Sequence, residues 1–131
     1  MSKSLRATRQ RHAIKKAFEQ TGRPLGPKEV LDLASQEVPN LGIATVYRNI
    51  KTMLEQEELE TIDLPGQPSR YFPKQDKTSR NRSTPLFLCQ KTNRVYFVDP
   101  SEIELQIARL PSNFVVDHSE VILYGECTSN N

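Results

Sequence analysis

The sequence has no tryptophan, only two cysteines and two histidines, and five glycines scattered singly along 131 residues. Two cysteines cannot build the disulfide framework of a small secreted domain, and they fit a reducing compartment. Isolated glycines supply no glycine-rich phosphate loop. No apolar run approaches the roughly 18–20 residues that span a bilayer. The opening MSKSLRATRQRH has no apolar stretch behind its positive charges, as a secretory leader requires. Neither paired carboxylates nor a Ser/His/Asp or Cys/His arrangement stands out, so no enzyme is expected. The length excludes large catalytic barrels and leaves one ordinary domain or two small ones. With 36% hydrophobic and 26% charged residues, the expectation is a small cytoplasmic protein with no membrane segment.

What is present is an uneven distribution of charge. The net charge is only +2, but residues 1–51 carry ten Lys or Arg against four acids. Residues 52–64 carry five acids and no base, residues 65–82 are again basic, and residues 83–131 are mildly acidic. A basic N-terminal part in a near-neutral whole suits a phosphate-facing surface; the alternative is a set of solvated helix faces.

The first half reads as three amphipathic helices. Ala13, Ile14, Ala17, Phe18 and Thr21 form one stripe within Thr8–Thr21, and Gly22 supplies the stop. Gly26-Pro27 opens a second helix whose apolar face is Val30, Leu31 and Ala34. A third runs from about Ile43 to Glu57, with Ile43, Val46, Tyr47, Ile50 and Leu54 expected on its buried side and Thr45, Arg48, Asn49 and Thr52 facing out. Leu59–Leu64, the turn-forming Pro65-Gly66-Gln67-Pro68 and Arg70-Tyr71-Phe72 then read as a hairpin. Three helices and a hairpin outline a winged helix-turn-helix over residues 1–73. Residues 74–84 read as a polar linker.

Residues 85–131 form the second expected domain. Leu86–Cys89 and Val95–Val98 read as short strands, Pro100 through Leu110 as a helix carrying Ile103, Ile107 and Leu110, and Asn113–Tyr124 as a long strand. Of the 49 residues from 83 to 131, 21 are hydrophobic. A unit this small rarely buries that much by itself, so a core shared with a second copy is expected. The fold class is therefore α+β, an N-terminal winged helix-turn-helix followed by a small C-terminal α/β domain expected to share its core with a second copy.

The strings Arg6-Ala7-Thr8-Arg9-Gln10-Arg11, Gly42-Ile43-Ala44-Thr45-Val46-Tyr47-Arg48-Asn49-Ile50, Ser69-Arg70-Tyr71-Phe72 and His118 through Cys127 resemble the ferric uptake regulator family in order and spacing. The resemblance implies a dimeric transcription regulator that binds double-stranded DNA, typically a repressor under the control of a divalent metal. It implies that the Tyr47 ring touches thymine methyls, which requires the ring to be at most partly buried. Thr45, Arg48, Asn49 and Thr52 project as a recognition helix in a major groove would require. Arg6, Arg9, Arg11 and Lys15, with Arg70 on the wing, are expected to contact the DNA backbone or minor groove and to confer salt dependence.

The metal chemistry of that family is largely missing. The segment before Cys89 is Ser83-Thr84-Pro85-Leu86-Phe87-Leu88, without a histidine where the family is His-rich. The family's two Cys-x-x-Cys pairs are reduced to Cys89-Gln90-Lys91-Thr92 and Cys127-Thr128-Ser129-Asn130. A structural zinc site takes four ligands in tetrahedral array, and two thiols do not complete one. His118 and Glu104 match family ligand positions without their partners. Pro24 stands near an expected ligand histidine, and His12 on the first helix has no evident metal role. No metal is expected, with zinc or another divalent ion on the residual candidates His118, Glu104, Cys89 and Cys127 as the alternative. The resemblance implies that Cys89 and Cys127 are neighbours, as leftover thiols, a disulfide, a redox switch or a weak two-thiolate metal site. Glu58 stands where the family has a glycine leading into the wing. The leading expectation is a homodimeric regulator on a palindromic operator, metal-independent or with altered signal sensing. The alternatives are a metal- or redox-responsive repressor and a partner that heterodimerises with an intact paralogue.

Overall fold

A computed structural model describes residues 3–75 and 84–128. The chain divides into two compact units, Met1–Ser79 and Arg80–Asn131. Most of the expected linker, residues 76–83, lies outside the described residues, as does Asn130.

The first unit is built on helices α1 (Lys3–Thr21), α2 (Pro27–Ala34) and α3 (Ile43–Glu55). Helix α1 begins earlier than its apolar stripe, and Arg6, Arg9 and Arg11 are exposed along its N-terminal half. It stops at Gly22, whose φ of 75° is open to glycine at no steric cost. Helix α2 starts on Gly26 with Pro27 in its first turn, and the Glu29 carboxylate reaches back to accept from the Gly26 N–H at 3.1 Å. The three helices bury Ala13, Ile14, Ala17, Phe18, Val30, Ala34, Val46, Ile50 and Met53 in one cluster with Leu25, Leu41 and Leu59.

The buried side of α3 is Val46, Ile50 and Met53, so the helix is rotated from the expected stripe. Ile43 and Tyr47 are exposed, at 38% and 55%. The i, i+4, i+7 run from Val46 outcompetes them because it alone points between α1 and α2.

Strands β1 (Leu59–Ile62) and β2 (Arg70–Pro73) pair antiparallel, Leu59 opposite Pro73 and Ile62 opposite Arg70. Leu25 adds a third edge that the sequence did not advertise: its N–H donates to the Tyr71 carbonyl at 2.9 Å, and the Tyr71 N–H donates back at 2.8 Å. That bridge ties the α1–α2 connection to the wing.

The second unit is a three-stranded sheet in the order β4-β3-β5. Strand β3 (Leu86–Cys89) pairs antiparallel with β4 (Val95–Phe97) and parallel with β5 (Ile122–Gly125). Asn93 turns the β3–β4 connection at φ 62°, a conformation asparagine tolerates. The helix expected from Pro100 through Leu110 is reduced to one 3-10 turn, Pro100–Glu102, capped by the Asp99 carboxylate. The long strand expected over Asn113–Tyr124 shrinks to β5 at its end. Both expectations assumed an apolar face to bury, whereas Leu105, Ile107, Leu110, Phe114, Val115 and Val116 are all exposed in the single chain. Among the described residues, no helix is long and apolar enough to cross a membrane.

Candidate nucleic-acid interface

Because Val46, Ile50 and Met53 fix α3 against the core, its opposite side presents Tyr47, Arg48, Lys51 and Thr52 to solvent. The Arg48 guanidinium donates to the Thr45 hydroxyl at 3.0 Å, holding it along the helix without burying it. Asn49 is half-buried and donates its amide to the Thr45 carbonyl one turn back at 2.9 Å. That bond occupies one of its two donors and turns it partly away from the outer face. Lys51 was not anticipated as part of this face, although its i+3 spacing from Arg48 was a readable signal.

The wing flanks the same helix. Burial holds the Tyr71 hydroxyl above the usual tyrosine pKa, and neighbouring Tyr47 and Asp63 push it the same way. Tyr47 itself is exposed on the outer face of α3, near enough to the Tyr71 hydroxyl to act on it electrostatically.

Arg6, Arg11 and Lys15 are exposed on α1, as is Arg9. Arg6, Arg9 and Gln10 line an open cleft of about 340 Å³ with Val38, Pro39 and Asn40, the connection that leads into α3. The basic half of α1 and the connection leading into α3 thus share one side of the unit. Lys15 is drawn elsewhere, with its ammonium 3.8 Å from the Glu58 carboxylate. Both side chains are exposed, so that pair is weak.

Arg70 departs from expectation. It is only 3% exposed, packs its stem against Gly26, and donates to the Pro68 carbonyl. Burial lowers its pKa from the ordinary value, Glu29 acts against that, and Arg23 adds to it. Arg23 in turn bridges Glu29 at 2.8 Å. Arg70 thus braces the foot of the wing from a buried position. Arg70 is the one buried position of this strand, and Tyr71, Phe72 and Pro73 are half-buried.

Glu58 also resolves differently. Helix α3 ends in a Schellman turn, with Glu58 N–H donating to the Met53 carbonyl at 2.8 Å and Glu57 N–H to the Leu54 carbonyl at 3.1 Å. The left-handed residue of this turn is Glu57, at φ 60°, next to Glu58.

The ferric uptake regulator family model matches residues 2–124. The chain belongs to the ferric uptake regulator family. Its fold is α+β with an N-terminal winged helix, and members of this family regulate transcription by binding DNA. Among solved structures it is similar to a zinc-bound manganese uptake regulator, at 25% identity over 90% of this chain and 87% of that one, with a TM-score of 0.71. It shares its fold with the Helicobacter pylori ferric uptake regulator, described as having three functional metal binding sites, at 14% identity over 91% and 77% of the two chains and a TM-score of 0.57. The zinc uptake regulator FurB of M. tuberculosis is another structural neighbour, at 22% identity over 96% and 95% and a TM-score of 0.51. No curated protein matches the chain by sequence.

Among the described residues no three His, Cys, Asp or Glu side chains converge as a metal-holding group. His118 is exposed outside any strand, with Nδ1 3.0 Å from the neighbouring Asp117 carboxylate. Glu104 is exposed outside any helix and accepts from Gln106 at 3.2 Å. Cys89 is buried and Cys127 exposed, both as free thiols. The Thr92 hydroxyl donates to the Cys89 sulfur, as do the backbone N–H groups of Cys127, Thr92 and Lys91, and together they pull its pKa down to about 6. With only two cysteines in the whole sequence, this donor set does not fit a closed four-ligand zinc site.

Proposed function

We propose that the protein is a homodimeric transcription regulator that binds a palindromic operator through α3 and does so without a metal. The observation that carries this reading is the outer face of α3, where Tyr47, Arg48, Lys51 and Thr52 stand exposed over a buried Val46–Ile50–Met53 spine. Arg48 has the length and fork to pair with a guanine edge or a phosphate, and Tyr47 offers a flat apolar ring to thymine methyls. Thr45 and Asn49 support that face, and Asn49 retains a donor for a base or phosphate. Arg6, Arg9 and Arg11 neutralise phosphates and make binding steeply salt-dependent. Metal independence is supported by the donor chemistry, with two thiols, no histidine in the segment before Cys89, and His118 and Glu104 engaged with neighbours on their own loops.

A gel shift on DNA upstream of the protein's own gene, beside an unrelated fragment, with and without a strong chelator, tests both parts. Specific retardation that survives chelation is the expected result. Retardation abolished by chelation and restored by one divalent metal would replace metal independence with the metal-responsive behaviour that the names of the solved relatives suggest.

A further inference from the structure

We infer that Cys89 and Cys127 form a reversible intramolecular redox pair, oxidised to a disulfide by two-electron oxidants of the hydroperoxide class. The pairing follows from the β3–β5 ladder. Cys89 closes β3 opposite Gly125 of β5, and the Gln90 N–H donates to the Gly125 carbonyl at 2.7 Å. Two residues beyond Gly125 the chain reaches Cys127, whose backbone N–H donates to the Cys89 sulfur. That contact and the strand register put the two residues side by side at the same end of the sheet, as a disulfide with its short Cα spacing requires. Both thiols are free and both belong to the same compact unit.

The two sulfurs are suited to different halves of the reaction. Cys127 is exposed and meets the oxidant. Its sulfur attacks a peroxide oxygen, the O–O bond breaks, and Cys127 becomes a sulfenic acid as its proton leaves with the released water or alcohol. Cys89 is buried beside it and serves as the resolving thiol. The Cys89 sulfur attacks the Cys127 sulfur, the S–S bond forms, the S–O bond breaks, and the Cys89 proton leaves with the released oxygen as water. Two thiols are oxidised and one hydroperoxide is reduced; a dithiol reductant reverses the pairing by exchange.

The test uses the full chain treated with hydrogen peroxide, quenched in acid, and assayed for thiols in denaturant. Titratable thiols should fall from two per chain to none and return with dithiothreitol. Peptide mapping should recover a Cys89–Cys127 linked peptide, and a non-reducing gel should show no chain-to-chain band. Cys127→Ser, at an exposed position, should keep the fold, yield no linked peptide, and leave Cys89 reduced at peroxide levels that close the wild-type pair. Two thiols persisting after treatment, oxygen adducts without the linked peptide, or a reducible dimer band would each overturn the proposal.

Discussion

Arg48 and Arg70 carry the same guanidinium into opposite surroundings, and their replacement should separate cleanly. Arg48 lies on solvent-facing α3, so Arg48→Ala should leave thermal stability within about 0.5 kcal/mol and weaken specific operator binding by about 1–3 kcal/mol if it reads a base. Wild-type affinity in that variant would remove α3 from the recognition role. Arg70 is buried against Gly26 with Pro68, Glu29 and Arg23 around it. Arg70→Gln should cost about 1–3 kcal/mol in chemical denaturation by leaving buried acceptors unsatisfied. It should also leave the slope of log affinity against log salt unchanged. A slope flatter by about 0.9, the signature of one lost phosphate contact, would restore Arg70 to the DNA surface. Cys89 gives a residue-scale pH dependence. Its folded pKa of about 6 is depressed from an unfolded value near 8.5, so its contribution is complete above about pH 8.5 and is lost as pH falls toward 6. The stability gap between wild type and Cys89→Ser, read from denaturant midpoints, should therefore narrow from pH 9 to pH 6.

At the scale of elements, the helices were legible because burial in this unit follows one period. Ala13, Ile14, Ala17 and Phe18 on α1 mark a stripe that the packed core confirms. The hairpin was legible from its turn chemistry. The rotation of α3 was not, because Ile43, Tyr47 and Val46 offer two overlapping apolar stripes and only the position of α1 and α2 chooses between them. The Leu25–Tyr71 bridge was equally hidden, since a single pair of backbone bonds leaves no periodicity in side chains. The end of α3 carries a further consequence. Glu57 adopts φ 60° at the position where Schellman turns favour glycine, and its carboxylate compensates only through an exposed ion pair with Lys74 at 3.1 Å. A left-handed non-glycine residue costs about 1–2 kcal/mol, more than such a pair returns. Glu57→Gly should raise stability by about 0.5–1 kcal/mol, read as a higher denaturant midpoint at unchanged slope. A loss of stability would mean that the Lys74 pair, which joins the helix end to the last wing strand, outweighs the backbone strain.

At the scale of the whole molecule, the second unit is the part that neither sequence nor single chain completes. Its apolar residues were read as a helix and a long strand because periodicity presupposes a surface to face, and helical order in water depends mainly on such packing. In one copy residues 103–121 have little to pack against, and Leu105, Phe114, Val115 and Val116 stand in solvent, Val115 at 94%. So much apolar exposure on a segment of this length is the mark of a surface that is covered in use. If a second copy covers it, as the proposed regulator requires, the chain should sediment at twice its own mass at micromolar concentration. Phe114→Asp should shift it to the monomer, because a carboxylate buried in an apolar interface without a partner is strongly unfavourable. Operator binding should fall in step, since each monomer would then hold one half-site alone. Non-specific binding at low salt should persist, because Arg6, Arg9 and Arg11 lie in the other unit and act on phosphates one at a time. A Phe114→Asp protein that remains dimeric would place the self-association elsewhere. One that becomes monomeric yet binds the operator as wild type would show that a single winged helix suffices for recognition.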